Sequence, residues 1–130
     1  MAHKYEIVLR HYMAALGASD YATIKSLFTD DGTVTSPFLG HMNAHAFFDR
    51  LGGATQQNLI TPIDVFLPTS PQEHAVAYFR YDWTVNDGTV ITFNVMDLFT
   101  FAPGTDKISA LDLIYDTHPI RQTAGNKYES

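Results

Sequence analysis

The 130-residue sequence predicts an α+β domain. Three observations carry that prediction. Helical periodicity fills the first half, long alternating segments separated by turn signals fill the second, and nine Phe, seven Tyr and one Trp supply ring area for a core or a ligand cavity.

The elements follow in order. In "KYEIVLRHYMAALG", Tyr5, Val8, Leu9, Tyr12 and Leu16 form one helical stripe, and Gly17 is the stop. "SDYATIKSLF" reads as a second helix, with Ser19 or Asp20 as N-cap and Ile24, Leu27 and Phe28 inward. "TDDG" ends it and turns the chain into a short strand within "DGTVTSPFLG", which places Val34, Ser36 and Phe38 on one face. "NAHAFFDRLGG" is a third helix, with Asn43 as N-cap and Gly52 as stop.

Four β-rich segments complete the chain: "NLITPIDVFL", "HAVAYFRYDWTV", "GTVITFNVMDLFTF" and "KISALDLIYD". "PTSPQE", "NDG" and "APGTD" join them. Long strands bending around three N-terminal helices predict a curved antiparallel sheet with a concave face. One domain is expected over residues 1–121. The polar "QTAGNKYES" that follows Arg121 is expected to be a loose tail over 122–130.

Composition narrows the function. A net charge of −6 with only eight Lys and Arg, nowhere clustered, argues against nucleic acid and against an anionic membrane surface. With no cysteine there are no disulfides or thiolate metal sites. The N-terminus lacks the apolar core of a signal peptide, and no run approaches membrane-spanning length, so cytoplasmic residence is the expectation.

The chemistry lies where a polar residue interrupts an apolar face. Alternation in "TFNVMDLFTF" puts Phe93, Val95, Asp97, Phe99 and Phe101 on one face. A carboxylate at the centre of that face is costly when charged, and desolvation raises its pKa. Asp97 either finds a donor as a structural residue or stays protonated and becomes a donor itself. On the neighbouring strand Phe79, Tyr81 and Trp83 suit a cavity wall, whereas Tyr78, Arg80 and Asp82 suit solvent or a partner subunit. Tyr115 shares a face with Leu111 and Leu113, opposite Asp112 and Asp116, which read as a solvated face.

"HMNAH" spaces His41 and His45 four apart, but no metal site is expected, because His41 precedes the helix cap and no metalloprotease Glu follows. His11 points away from Tyr12, and His118 reads as a loop residue able to cap a pocket mouth. No phosphate loop, nucleophile elbow or dinucleotide fingerprint is present, and no cofactor is expected.

The order of elements, with "HYMAALGASDYATIKSLFTDDGTVTSPF", "FFDRLGG" and "FNVMDLFTF" followed by "KISALDLIYD", resembles the nuclear transport factor 2-like superfamily. Within it, the match is to the branch of SnoaL-like polyketide cyclases and ketosteroid isomerases. The resemblance implies a cystatin-like cone, a curved sheet wrapped on helices around a pocket, and pairing through the outer sheet face as a homodimer. Tyr12 and Asp97 fall where the isomerases place the two donors to the substrate oxyanion, the Asp in its protonated form. Tyr115 falls on an aromatic of the pocket, and Phe79, Tyr81 and Trp83 fall on its wall. Ser36 departs from the pattern: directly before "PF" the isomerases carry the Asp that shuttles the proton, and a serine hydroxyl is too weak a base for that task.

The expected function is therefore binding of a small apolar, oxygen-bearing ligand. Tyr12 and Asp97 are the candidate catalytic pair for a proton transfer such as isomerisation or cyclisation. Ser36, Phe79, Tyr81, Trp83, Phe93, Val95, Phe99 and Tyr115 are the candidate substrate-binding residues. The alternative is a non-catalytic binding or dimerising module, which the serine at position 36 favours.

Overall fold

Helix α1 (Lys4–Gly17) forms on the stripe the sequence predicts: Tyr5, Val8, Leu9, Tyr12 and Leu16 are all buried. The structure, a computed structural model, describes residues 3–69 and 71–124. His3 caps α1 by accepting the Tyr5 amide at 3.1 Å. Ser19 then takes φ 54°, the one positive φ outside glycine among the described residues, and turns the chain toward α2 (Tyr21–Ser26). Of the two candidate caps it is Asp20 that starts α2, accepting the Thr23 amide at 3.1 Å and the Thr23 hydroxyl at 2.6 Å.

Strand β1 (Phe28–Ser36) follows at once, so Phe28 is buried from a strand and not from the end of α2. Its register with β6 slips between Phe28 and Thr33. At Gly32, inside that slip, a Cβ would meet the Thr29 carbonyl oxygen at 3.0 Å and the Phe28 ring at 3.1 Å, so the backbone leaves no room for a side chain. A tight turn leads into β2 (Gly40–Asn43), paired antiparallel with β1. Asn43 caps α3 (Ala44–Ala54) through the Ala46 amide, as expected, but the helix passes Gly52 by two residues.

The remaining strands are β3 (Thr55–Phe66), β4 (His74–Val85), β5 (Val90–Phe101) and β6 (Ile108–Tyr115). They form one six-stranded sheet in the order β2-β1-β6-β5-β4-β3. The "NDG" hairpin between β4 and β5 is present, with Gly88 at φ 89° and its amide bonded to the Val85 carbonyl at 2.9 Å.

Three expectations need correcting. The sheet is not wholly antiparallel, since β1 and β6 run parallel; they are joined only through the whole length of chain between them, as parallel neighbours require. Strand β2 was not anticipated. There are four helices and not three, because α4 (His118–Ala124) follows the last strand. Helix α4 passes through the expected boundary at residue 121, and His118 is its first residue and not part of a loop. The rest of the expected tail, residues 125–130, lies outside the described residues.

The core lies between the inner face of the sheet and helices α1 and α3. Tyr5 stacks on Phe101 with centroids 4.0 Å apart, and Phe48, Phe99, Leu9, Ile108 and Leu111 are fully buried. Each such side chain contributes about 1.5–3 kcal/mol by leaving water. The core occupies only one end of the concave face. Toward the other end the sheet and helices diverge.

Candidate functional site

Where they diverge, they enclose a cavity of about 610 Å³. Strand β5 crosses its deep end and carries Asp97 there, flanked by Ala77 of β4 and Leu113 of β6. The side chain is 1% exposed. Burial raises its pKa from 3.8 to about 8, only partly opposed by a hydrogen bond with the Tyr12 hydroxyl. The carboxyl is therefore protonated at neutral pH. Its Oδ1 has no hydrogen-bond partner among the described residues. A buried polar atom left unpaired costs about 1–3 kcal/mol.

Tyr12 reaches the same point from α1. Its ring meets the edge of Phe99 at 4.8 Å and lies 6.2 Å from that of Phe48, which fixes the direction of the hydroxyl. Burial raises the phenol pKa well above its ordinary value, and the neighbouring carboxylate adds to that rise, so it too keeps its proton. The deep end thus presents two neutral O–H groups in apolar surroundings.

The wall is a run of rings. Phe79, Tyr81 and Trp83 come from β4, Phe93 and Val95 from β5, and Tyr115 from β6. Centroids are 5.2 Å apart for Tyr81 and Phe93, and 4.9 Å for Phe93 and Tyr115. The Tyr81 hydroxyl is engaged by a residue outside the cavity lining. It donates to the Asn58 carbonyl, whose amide nitrogen donates to Tyr21 at 2.8 Å and to Ser19 at 3.2 Å. Asn58 is 2% exposed and holds this polar knot on the back of the wall. Trp83 is held by its indole N–H, which donates to the Thr55 hydroxyl at 2.8 Å.

Ser36 ends β1 at the cavity, and its hydroxyl oxygen accepts the amides of Phe38 and Leu39, both at 3.3 Å. That is a side-chain-closed turn, the local device expected of a serine before a proline. Its lone pairs are occupied, leaving the O–H as a donor and not a base.

The cavity therefore brings together every sequence-predicted site residue except one. Phe99 is fully buried, packs against the Tyr12 ring and is not among the residues that line the cavity. Leu16, Phe47 and Ile91 line it unforeseen, as do Arg50 and Arg121 at the exposed end. Helix α4 contributes Ile120 and Arg121, and not His118. His41, on β2, bonds to Thr35 at 3.0 Å. No group of three metal-ligating side chains exists among the described residues.

The family model of the SnoaL-like domain matches residues 9–110. No curated protein matches the chain in sequence. Among solved structures, the fold is similar to a hypothetical protein of Catenulispora acidiphila with a ketosteroid isomerase-like fold, in complex with trimethylamine; the TM-score is 0.76 at 14% identity, covering 95% of each chain. It is also similar to TerC co-crystallised with polyporic acid, with TM-score 0.75, 18% identity, and 92% and 97% of the two chains covered. A third similar structure is SalBIII, an epoxide hydrolase/cyclase-like enzyme of pyran ring formation in polyether salinomycin, with TM-score 0.73, 17% identity, and 87% and 91% covered.

Proposed function

The chain belongs to the SnoaL-like domain family, and within it we propose that this protein binds a small apolar, oxygen-bearing ligand in its conical cavity and transfers a proton on it. The observation that carries this reading is a protonated, buried Asp97, with one oxygen unpaired among the described residues, in the lining of an aromatic cavity. Tyr12 and Asp97 hold the ligand oxygen with two hydrogen bonds, which strengthen as negative charge develops there in an enolate-like transition state. The proton leaving carbon passes to water entering at the exposed end of the cavity, while Asp97, titrating near neutrality, gives its own proton to the ligand oxygen and retakes it as the product forms. That two structural neighbours are described with small molecules, trimethylamine and polyporic acid, and a third as cyclase-like, is consistent with this use of the fold.

The test is hydrogen–deuterium exchange at the carbons beside the carbonyl of 2-tetralone in heavy water. The wild type accelerates it, and Asp97→Asn, which keeps the shape and loses the acid, does not. No acceleration by the wild type overturns the catalytic part. The binding part is read by following the Asp97 carboxyl by NMR: its raised pKa shifts again when 2-naphthol is added, and no response to naphthol overturns it.

One observation favours a second reading, a binding module without catalysis. Ser36 accepts two backbone amides where the isomerases keep a base. Naphthol binding without tetralone exchange selects this reading.

We further propose a homodimer through the outer sheet face around Tyr78, Arg80, Asp82 and Asn94, where Met96 and Ile114 are exposed apolar neighbours. A monomeric mass in sedimentation equilibrium overturns it.

A further inference from the structure

The sequence contains eight Lys and Arg against fourteen Asp and Glu. Scarce cations in an acidic chain are expected to find partners, and most do. Arg10 pairs with Glu6, Lys25 with Asp49, and Arg80 with Asp82. Lys107 donates to the Ser26 carbonyl at 2.8 Å, and Lys4 lies over the Tyr5 ring. Lys127 lies outside the described residues. Arg50 and Arg121 remain, and among the described residues neither meets a carboxylate within ion-pair distance. Both line the exposed end of the same cavity. They come from different elements, α3 and α4, so adjacency in the chain does not explain the coincidence. Asp49, the residue beside Arg50, is already taken by Lys25.

The cavity therefore has two unlike poles. Neutral O–H donors stand at the deep end, rings and aliphatic side chains form the middle, and two guanidinium groups stand at the mouth. We propose that the ligand is an amphipathic carboxylate, with a hydroxyl or carbonyl oxygen seated at Asp97 and its carboxylate held at the mouth by Arg50 and Arg121. This inference rests on the cavity being a ligand site, and names the substrate class for it. The rim also carries Asp87, whose carboxylate accepts the Thr89 amide at 2.9 Å. Guanidinium suits the task because its fixed fork matches the two carboxylate oxygens, and apolar walls strengthen its field at the opening.

The experiment is calorimetric titration of the wild type and of the R50Q/R121Q variant with 6-hydroxy-2-naphthoate and with its methyl ester. The two probes share the ring and the phenol and differ only in the charge. The wild type binds the acid about tenfold more tightly than the ester at low salt, the combined effect of two solvent-touched contacts of a few fold each. That advantage shrinks as salt is added and falls to about one in R50Q/R121Q. Equal affinity of acid and ester in the wild type overturns the proposal while leaving the cavity a ligand site. An advantage that persists in the double variant also overturns it, by placing the anion elsewhere. If acid, ester and 2-naphthol all fail to bind, the reading of the cavity as a ligand site falls first, and this inference falls with it.

Discussion

The two faces of β5 treat their residues in opposite ways. Inward, Phe93, Val95, Asp97, Phe99 and Phe101 are all buried; outward, Thr92, Asn94, Met96 and Thr100 are exposed. The outer face handles its polar groups conventionally: Thr92 and Arg80 both bond to Asp82, whose carboxyl those bonds hold below the usual carboxylate range. The inner face handles its one carboxyl in the opposite way. It removes water, leaves one oxygen unpaired, and raises the pKa to about 8. The same residue type is thus made a structural anion on one side of a sheet and a neutral acid on the other. Burial and partners decide which, not the local sequence.

The largest expected effect tests the neutral acid directly. The folded chain retains a proton on Asp97 up to about pH 8, whereas the unfolded chain releases it near 3.8. The unfolded state therefore binds fewer protons in that window. Stability relative to Asp97→Asn is greatest below pH 4, falls as pH rises, and levels off above pH 8. The limiting slope is about 1.4 kcal/mol per pH unit, several kcal/mol in all. Urea denaturation of both proteins at intervals from pH 5 to 9 measures it, and parallel curves would break the contrast between the faces.

Next in size is packing. Leu111→Ala, on the buried side of β6, costs about 2–5 kcal/mol, whereas Ile114→Ala, 53% exposed on its outer side, stays within about 0.5 kcal/mol in the monomer. A larger cost at Ile114 that depends on protein concentration would instead sharpen the outer face into a subunit interface. Replacing Asp97 by Leu should raise stability at pH 7 by a few kcal/mol, because it removes both an unpaired buried oxygen and the proton uptake on folding just described, while abolishing naphthol binding. Thermal melts with and without naphthol read both. The smallest effect is Arg80→Ala, within about 0.5 kcal/mol, since the Arg80 pairing is 3.2 Å long and its side chain is mostly exposed.

Much of this was legible in the sequence for definable reasons. The stripe of α1, the cap at Asn43 and the division of β4 and β5 into faces depend on period and local chemistry, and they lie where those rules put them. Period gives the face of a strand but not the depth along it, which is why Phe99 was grouped with the cavity wall although it lies in the core behind Tyr12. Strand β2 has four residues, too few to show alternation, and α4 is a seven-residue helix with a proline as its second residue. The parallel pairing of β1 with β6 joins opposite ends of the chain, and no local signal encodes it. For the same reason the mouth arginines were invisible. They line one cavity only because the fold brings α3 and α4 to it.

The indole of Trp83 stands in the wall of the cavity, and the chain contains no other. Its emission is therefore an intrinsic gauge of whether the hollow is filled. A guest displacing water beside that ring changes the brightness and colour of the whole protein's ultraviolet fluorescence. Unlabelled protein in a plate reader can thus screen a compound library before any substrate has been identified.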